Sequence, residues 1–375
     1  MGIEIVAEIG KNFVVSEQPE PLETLLERAK ELIREAVKAG ATTVKFQAHS
    51  VNDEIHPEAK LISPHFDQDR YEWVKRNTYP REFWQEIAGY CRELDIEFLC
   101  TPMSRGAVYL IEDFVDRYKI GSGDLTDFVM LDYIRDYGKP VIISTGMSSL
   151  QEIRKAYDFL REKVKDIMIM HCVSEYPCKL ENLNLLTIPF LKKQFPEAKI
   201  GFSDHSLEVS TGAMAIVMGA EIIEKHFTLD RKSWGSDHQV SLTPNEFAQM
   251  VKEIKYVKSD IQRREVNKKG YIVEDTKDGS RLRKREKDEP LQPILKIPKQ
   301  ALGVETKFIN EDEMKFRKVF RKGLFTGRDI KQGELIARED IIALRPRGDA
   351  PKSEDYELYI DIIATRDFKK YEAIK

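Results

Sequence analysis

Two histidines end two short apolar runs in the second half of the chain, and each lies beside acidic residues. The runs cover residues 198–205 and 220–228. Runs of four to six β-prone residues that end in reactive side chains are typical of buried parallel strands with chemistry at their carboxyl ends. Two imidazoles beside carboxylates suit a divalent metal ion. We therefore interpret His205 and His226 as metal ligands, with Glu8 bonded directly or through water; alternatively, they only hydrogen-bond within the site.

Polar side chains end the other apolar runs too, and several are of the kinds that bind phosphate. Lys45 and Lys119 carry ammonium groups, and Ser122, Ser144 and Ser203 carry hydroxyls. Two cations can neutralise an anion while hydroxyls and backbone N–H groups donate to its oxygens. A phosphate beside a metal ion would allow a carbonyl to be polarised and water to be activated. His171 lies inside a run, so a buried structural histidine is an equal alternative there.

Eight repeats of strand and helix would place these side chains together. The apolar runs are Ile3–Ile9, Thr43–Gln47, Ile96–Thr101, Arg117–Ile120, Val141–Ser144, Ile167–Cys172, Lys199–Ser203 and Glu221–His226. Each precedes a pattern of helical period, including residues 183–194 and 244–258. Eight units in about 258 residues predict an α/β fold of the (β/α)8 TIM-barrel type. A doubly wound open sheet is the alternative, but no GxGxxG follows the first run.

Three regions of different composition follow one another along the chain. Residues 1–259 form the predicted barrel, residues 260–312 form a charged linker, and residues 313–375 form a small β-rich domain. Between the second and third barrel strands, the segment 48–80 is longer than the other connections, so we expect it to form a lid or a wall of the substrate site.

The composition of the chain excludes several classes of protein. Its 375 residues are 41% hydrophobic and 33% charged, with a net charge of −4. Both signs of charge are interspersed, which argues against binding to nucleic acid or to an anionic membrane. No run approaches the length of a membrane span, and the first residues do not have the pattern of a signal peptide. Four scattered cysteines predict reduced thiols in or near the core. We expect a cytoplasmic protein.

The strand-end motifs, taken in order, resemble those of the sialic acid synthases. The resemblance covers residues 3 to 258, and the C-terminal segment resembles the small antifreeze-like (SAF) domain of these enzymes. The motifs are Glu8-Ile-Gly-Lys-Asn12, Val44-Lys-Phe-Gln47, Thr101-Pro-Met-Ser-Arg105, Tyr118-Lys-Ile-Gly-Ser-Gly123, Ser144-Thr-Gly-Met147, His171-Cys-Val-Ser-Glu-Tyr-Pro177, Gly201-Phe-Ser-Asp-His205 and Glu224-Lys-His-Phe-Thr228.

The resemblance implies a phosphoenolpyruvate-dependent transferase. Such an enzyme condenses phosphoenolpyruvate with N-acetylmannosamine and releases N-acetylneuraminate and phosphate. A mixed nitrogen and oxygen site with open positions suits Mn²⁺, Fe²⁺, Co²⁺ or Zn²⁺, and water-rich coordination favours Mn²⁺. Mg²⁺ is a further alternative. The resemblance also implies a domain-swapped homodimer, in which Arg345 of the small domain reaches the N-acetyl group in the partner subunit's site.

The resemblance also implies a role for each matching residue. Glu8, Lys45, Lys119, His205 and His226 would be catalytic, and the two histidines would bind the metal. The phosphoenolpyruvate-binding residues would be Lys45, Thr101, Lys119, Ser122, Ser144, Ser174 and Ser203. The sugar-binding residues would be Gln47, Asp124, Tyr176, Asp237 and Arg345.

Several departures from the family pattern fall on the sugar side of the site. Asp124 stands where the family usually has glutamate, and Phe13 stands where it usually has histidine. Relatives offer the sugar an asparagine near residues 64–66, and position 347 lacks the family's second glycine. Since specificity depends on paired polar groups, these departures bear on the choice of sugar. The alternatives are another 2-acetamido sugar, which would yield legionaminate or pseudaminate, or a metal-dependent aldolase or hydrolase that does not use phosphoenolpyruvate. A non-catalytic sugar-binding protein is a third class.

Overall fold

Eight parallel strands form a closed barrel, in which each strand pairs with the next and the last pairs with the first. A computed structural model describes residues 3–59, 62–63, 66–268, 271–276, 279–284, 295 and 297–375. The barrel strands β1 to β8 are Glu4–Gly10, Thr43–Ala48, Glu97–Pro102, Tyr118–Ile120, Val141–Ser144, Ile167–Cys172, Lys199–Asp204 and Ile222–His226. The predicted (β/α)8 barrel is confirmed. The alternative of an open sheet is excluded, because this sheet has no edge.

A helix follows each barrel strand and covers the outside of the barrel. The helices α1 to α8 are Leu22–Lys38, Arg81–Glu93, Arg105–Ile111, Phe128–Tyr137, Leu150–Arg161, Thr187–Gln194, Thr211–Val217 and Pro244–Lys268. Helix α6 begins later than the expected residue 183, because a 3₁₀ turn at Leu180–Asn182 and a left-handed Asn184 (φ 48°) precede it. Helix α8 extends ten residues beyond the expected end, and a hairpin of Tyr271–Thr276 and Gly279–Lys284 follows it.

The sequence of α1 shows why these helices pack on the barrel. Its buried residues are Leu25, Ala29, Leu32, Ile33 and Ala36, which recur at helical spacing along one face. Elsewhere the ends of the helices are fixed locally. Ser149 and Glu152 form a reciprocal capping box at the start of α5, and Gly138 ends α4 with a φ of 63°. The apolar face of α1 thus packs on the strands, and the caps fix where α4 ends and where α5 begins.

The inside of the barrel is layered. At the amino-terminal end of the strands, Arg117 is paired with Glu4 and Glu97. Above this pair lies an apolar layer of Val6, Leu99, Ile142, Met168, Met170 and Ile222. Polar side chains occupy the carboxyl end, because side chains alternate along each strand and the apolar layer fills the positions below. Charged groups at the mouth are therefore supported by a packed floor.

The long segment between β2 and α2 contains a 3₁₀ turn at Val51–Asp53, short strands at Ile62–Ser63 and Phe66–Asp69, and a helix at Arg70–Arg76. Residues 64 and 65, part of the region where relatives offer an asparagine, lie outside the described residues. Phe13, the other departure nearby, is fully buried against Phe46 and Phe83. The Phe13 ring therefore packs in the hydrophobic core of the barrel wall.

The C-terminal residues pack on the mouth of the same chain's barrel. A helix at Glu311–Phe320, which we call the cap helix, leads into strands Gly323–Thr326, Leu335–Ile336, Ile341–Leu344 and Ile362–Ile363. The first strand pairs with the third and the second with the fourth, both antiparallel. A short helix at Lys299–Leu302 precedes the cap helix. The small β-rich unit is thus present, while its assignment as an SAF domain and the 260–312 linker remain predictions.

None of the helices in the described part of the chain is long and apolar enough to cross a membrane. All four cysteines are buried and none forms a disulfide, which agrees with the expected reduced thiols.

Lys322 is a buried ionic link between the C-terminal unit and the barrel. Its Nζ lies 2.7 Å from Asp127 Oδ2 and 3.0 Å from Asp124 Oδ1, and it donates to the Met103 carbonyl at 2.6 Å.

Removing one member of a buried ion pair leaves the other charge unpaired. We expect Lys322→Met to lower the free energy of unfolding by about 3 kcal/mol, measured by urea denaturation. The control Lys331→Met alters an exposed pair and should change it by less than about 0.5 kcal/mol; equal effects would contradict this account.

Candidate active site

A cavity of about 180 Å³ opens where the carboxyl ends of the strands meet. All the predicted site residues except Arg345 line it: Glu8, Lys45, Gln47, Thr101, Lys119, Ser122, Asp124, Ser144, Ser174, Tyr176, Ser203, His205, His226 and Asp237. They come from all eight strands or the loops that follow them. Because parallel strands of a barrel end on the same side, residues that are far apart in sequence face one another here.

Two lysines and two glutamates alternate at the base of the cavity. Lys45 Nζ lies 2.6 Å from Glu8 Oε2 and 3.7 Å from Glu224 Oε1, while Lys119 Nζ lies 3.2 Å from Glu224 Oε2. Burial disfavours the charge on Lys45, but Glu224 and Glu8 outweigh it and raise its pKa. Burial dominates at Lys119 and lowers its pKa. Burial also opposes the charge on Glu224, yet the two lysines bring its pKa down to about 2. The base of the cavity therefore contains two lysine ammonium groups that an anionic ligand could contact.

Hydroxyl groups form a second wall beside these lysines. The backbone N–H of Gly146 donates to Ser122 Oγ at 3.0 Å. A Cβ on Gly146 would lie 2.2 Å from Ser174 Oγ and 2.8 Å from Ser122 Oγ, so only glycine fits between the two serines. Ser144 Oγ and Ser174 Oγ are buried without a hydrogen-bond acceptor or donor among the described residues. Buried hydroxyls in this condition are suited to the oxygens of a ligand, such as a phosphate.

The two histidines are neighbours in the cavity wall. His205 Nδ1 is 2.7 Å from the Val173 carbonyl, so it carries the proton and donates. This leaves Nε2 as an acceptor on the cavity side, and the Tyr176 hydroxyl, 3.1 Å away, can donate to it. The His226 ring centroid lies 5.5 Å from that of His205. Burial lowers the pKa of His226, which favours the neutral form that a metal ion requires.

This pair fits a divalent metal ion in chemistry and in orientation. A backbone carbonyl that fixes the tautomer of a histidine is a common support for a metal ligand. His226 Nδ1 is buried without a hydrogen-bond partner in the part of the chain that the structure describes. Within that part, no group of three or more His, Cys, Asp or Glu side chains is arranged to hold a metal. A metal ion bound by the two histidines would thus keep open positions for water or substrate.

The opposite side of the cavity carries amide, hydroxyl and carboxylate groups. Gln47 donates to Glu8 Oε1 at 2.7 Å and accepts from Lys11 Nζ at 2.9 Å. Ser236 donates to Asp237 Oδ1 at 3.1 Å. Burial works against the charge of Asp237, but the Lys11 ammonium outweighs it and brings the pKa to about 2. This side can both donate to and accept from the hydroxyls of a sugar.

Arg345 is the one predicted site residue that does not line this chain's own cavity. Its Nη2 is 2.5 Å from Asp124 Oδ1 of the same chain, and its side chain is fully buried. The cap helix leads the chain back across its own barrel mouth and so brings Arg345 to Asp124. The expectation that Arg345 of the partner subunit contacts the sugar in a domain-swapped homodimer stays a prediction.

The cap helix closes the cavity from above. Phe316 and Phe320 line it. Glu313 accepts hydrogen bonds from the backbone N–H groups of Met147 and Ser174 at 2.8 and 3.0 Å. Arg321 donates to the carbonyls of Ser122 and Met147 at 3.0 and 2.9 Å. The helix therefore fastens to the loops that carry the serine wall.

Several lining residues were not predicted: Lys11, Arg70, Trp73, Cys172, Glu224, Phe316 and Phe320. Glu224 and Lys11 lie within motifs that the sequence displays, so their positions could have been found. Arg70, Phe316 and Phe320 come from segments without a strand-end pattern. His171 proves structural, because its Nε2 lies 2.7 Å from the Leu183 carbonyl and burial lowers its pKa to about 3.

Comparisons with known proteins agree with this architecture. The model of the NeuB family matches residues 32–265. The solved structure of the Bacillus subtilis spore coat polysaccharide biosynthesis protein SpsE is 28% identical with a TM-score of 0.76, covering 100% of this chain and 94% of that chain. The N-acetylneuraminic acid (sialic acid) synthetase of Leptospira borgpetersenii, solved in complex with citrate, is 29% identical with a TM-score of 0.62, covering 70% and 85%. The N,N'-diacetyllegionaminic acid synthase of Campylobacter jejuni is 28% identical, covering 93% and 95%.

The depressed pKa of Glu224 makes the stability of the site depend on pH. A carboxylate whose pKa falls from 4.5 to about 2 on folding contributes stability above pH 4.5 that is lost as the pH falls towards 2. We expect Glu224→Gln to be less stable than the wild type at pH 7 and to lose less stability between pH 5 and 3.5. Urea denaturation at each pH measures this. The control Glu221→Gln, at an exposed position, should keep the wild-type slope; an unchanged slope for Glu224→Gln would refute the assignment.

Proposed function

Because the chain belongs to the NeuB family, we propose that it condenses phosphoenolpyruvate with a 2-acetamido sugar to form a nonulosonic acid. We propose N-acetylmannosamine as the core structure of that sugar and N-acetylneuraminate as the product core. The observation that carries this proposal is the composition of one cavity. Lysines and serines for an anion lie beside a histidine pair for a metal and beside polar groups for a sugar. The resemblance of the strand-end motifs points to the same reaction.

The lysine side of the cavity would hold phosphoenolpyruvate. Lys45 and Lys119 would neutralise its charge, and the hydroxyls of Ser144 and Ser174 would donate to its phosphate. Thr101, which accepts from Lys45 Nζ at 3.2 Å, would keep that ammonium directed into the cavity. Ser203, which donates to Glu224 Oε1 at 3.1 Å, would position Glu224 between the lysines. Such fixed donors require little reorganisation when the charge moves during the reaction.

His205 and His226 would hold a divalent metal ion, for which we favour Mn²⁺, with Mg²⁺ or Co²⁺ as alternatives. When bound there, it would supply Lewis acidity towards the carbonyl oxygen of the open-chain sugar. Tyr176, Gln47 and Asp237 would orient the sugar by hydrogen bonds to its hydroxyl groups. Phe316 and Phe320 would exclude bulk water from above the reacting carbons.

The bonds change in three steps. Carbon 3 of phosphoenolpyruvate forms a bond to the aldehyde carbon of the sugar, the carbonyl electron pair moves to the aldehyde oxygen, and positive charge develops at carbon 2. Water adds at carbon 2 and gives up a proton, while the aldehyde oxygen takes up a proton and becomes a hydroxyl; Glu8, which lines the cavity, would relay this proton. The carbon 2 to oxygen bond of the phosphate then breaks, its electron pair leaves with the phosphate, and the carbon 2 hydroxyl loses its proton to form the ketone. The Lys45 and Lys119 ammonium groups would stabilise the departing phosphate. Holding both reactants in one closed site supplies orientation.

A second candidate is the same reaction on another 2-acetamido sugar, yielding legionaminate or pseudaminate. The similarity to a legionaminic acid synthase over most of both chains favours it. So does the sugar side of the site, where Asp124 is bound to Lys322 and Arg345 and is therefore less available to a hydroxyl. The two candidates differ in the groups at the sugar's carbons 4 to 6.

The reaction class can be tested by the release of phosphate. Metal-free protein is given phosphoenolpyruvate and acetamido sugars, including N-acetylmannosamine and its 6-phosphate, with and without Mn²⁺. We expect release to require phosphoenolpyruvate, a sugar and the metal together. Mass spectrometry of the product identifies the sugar used. Release without any sugar, or turnover of sugars without phosphoenolpyruvate, would instead indicate a hydrolase or an aldolase.

The metal assignment can be tested apart from activity. We expect His226→Ala to stay folded, to lose bound Mn²⁺ in calorimetric titration and to lose at least about 100-fold in kcat, since the metal polarises the carbonyl. Residues at the carboxyl ends of barrel strands serve function more than stability. The control is His56→Ala: the His56 Nε2 lies 3.0 Å from the Tyr371 carbonyl and the residue does not line the cavity, so this variant should bind Mn²⁺ normally. Undiminished Mn²⁺ binding by His226→Ala would refute the assignment.

A further inference from the structure

Arg70 is a buried arginine without a paired carboxylate in the described part of the chain. It begins the helix Arg70–Arg76, its side chain is only 7% exposed, and it lines the cavity. Among the described residues it has no ion pair and no hydrogen bond, and its Nε is buried without an acceptor. Its guanidinium carbon lies 4.6 Å from the centroid of the Phe320 ring.

Among the described residues, the other buried arginines are paired, and this sets Arg70 apart. Arg345 is bound to Asp124, and Arg117 is bound to Glu4 and Glu97. An unpaired buried charge costs several kcal/mol, so a protein retains one mainly where a ligand completes it. Burial lowers the pKa of Arg70 to about 10, which still leaves the guanidinium charged near pH 7. An anion in the cavity would supply the direct partner that this guanidinium lacks.

Lys11 is a second cation on the same side of the cavity. Its Nζ donates to Gln47 Oε1 at 2.9 Å and lies 4.0 Å above the ring of Trp73, and it has no carboxylate within ion-pair distance in the described ranges. Burial lowers the pKa of Lys11 to about 8, and the charge of Arg70 contributes to that shift. The positive charges of Lys11 and Arg70 are therefore close enough to repel each other.

The acidic residues near this wall are hydrogen-bonded or paired elsewhere. Glu54 is hydrogen-bonded to His49 at 2.7 Å, and Asp124 is bound to Lys322 and Arg345. Asp237 is hydrogen-bonded by Ser236. In the described ranges none of these carboxylates pairs directly with Arg70 or Lys11, so an entering anion would supply the direct partner that both lack.

This positive wall is separate from the lysines at the base of the cavity. Lys45 and Lys119 are paired with Glu8 and Glu224. The charges that act on Arg70 are instead those of Arg345, Glu54, Asp124 and Asp237. The cavity therefore presents cations at two places, of which phosphoenolpyruvate would occupy the lysine pair at the base.

We propose that Arg70 and Lys11 form a second anion subsite that binds a phosphate monoester on the acetamido sugar. The inference rests on the proposed condensation and specifies its sugar as a sugar phosphate, with N-acetylmannosamine 6-phosphate as the closest match to the core named above. A guanidinium donates two parallel hydrogen bonds to phosphate oxygens, and an ammonium adds a third. The condensation does not alter this phosphate, so it stays on the product.

The test compares N-acetylmannosamine with its 6-phosphate at saturating phosphoenolpyruvate and Mn²⁺. We expect the wild type to prefer the 6-phosphate by at least about 10-fold in kcat/KM. Arg70→Met should raise KM for the 6-phosphate by about 10- to 100-fold, with little change for the neutral sugar or in the KM for phosphoenolpyruvate. Lys11→Met should act in the same direction. The control Arg366→Met, at an exposed position, should match the wild type.

A structural role for Arg70 would give a different result. Since Arg70→Met removes an unpaired charge, its ligand-free thermal midpoint should equal or exceed that of the wild type; a fall of several degrees would overturn the proposal. Equal losses with both sugars, or a raised KM for phosphoenolpyruvate, would also overturn it. If neither sugar gives turnover, the proposed condensation fails. Calorimetric titration of the 6-phosphate into wild type and Arg70→Met then still decides the subsite: tighter binding by the wild type supports it, and equal binding overturns it.

Discussion

The alternation of two ammonium groups and two carboxylates at the base of the cavity is the interaction on which the site depends. Lys45 and Lys119 would each lose charge if buried alone, because a low-dielectric interior disfavours ions. Glu8 and Glu224 keep that charge in place, and the lysines in turn keep Glu224 ionised. The apolar layer below excludes water from beneath them. Only a closed barrel brings four such residues, from β1, β2, β4 and β8, within reach of one another.

The barrel and most of the site could be predicted because both follow from the local pattern of sequence. Each strand is an apolar run in the sequence, and its last side chains point to the mouth of the barrel. The positions of Lys45, Lys119 and His226 within their runs therefore predict that they lie in the site. The boundaries of the helices were less certain. Asn184 delays the start of α6 through its left-handed backbone, and nothing in the periodicity of residues 183–194 shows this. Helix α8 continues through a polar stretch that reads as a linker.

The remaining site residues depend on packing between distant segments, which periodicity does not encode. Arg70 comes from the long connection after β2, and Phe320 comes from the cap helix, 250 residues later in the chain. They meet as guanidinium over ring at the mouth of the barrel. Arg345 was predicted as a ligand of the sugar because a motif contains it. Periodicity gives no sign of its contact within the chain, where its guanidinium is bound to Asp124 and the two side chains are buried together.

The cap helix also has a consequence for the order in which the protein is made. Glu313 is the acceptor for the N–H groups of Met147 and Ser174, and Lys322 neutralises Asp124 and Asp127. During synthesis all eight strands leave the ribosome before these residues exist. At that stage the barrel would contain its strand-end side chains, but Asp124 and Asp127 would lack Lys322 and the serine loops would lack the hydrogen bonds to Glu313. The mouth takes the form seen here only when the last part of the chain folds back, so a product that ends before residue 311 would lack the cap helix and its contacts with the serine loops.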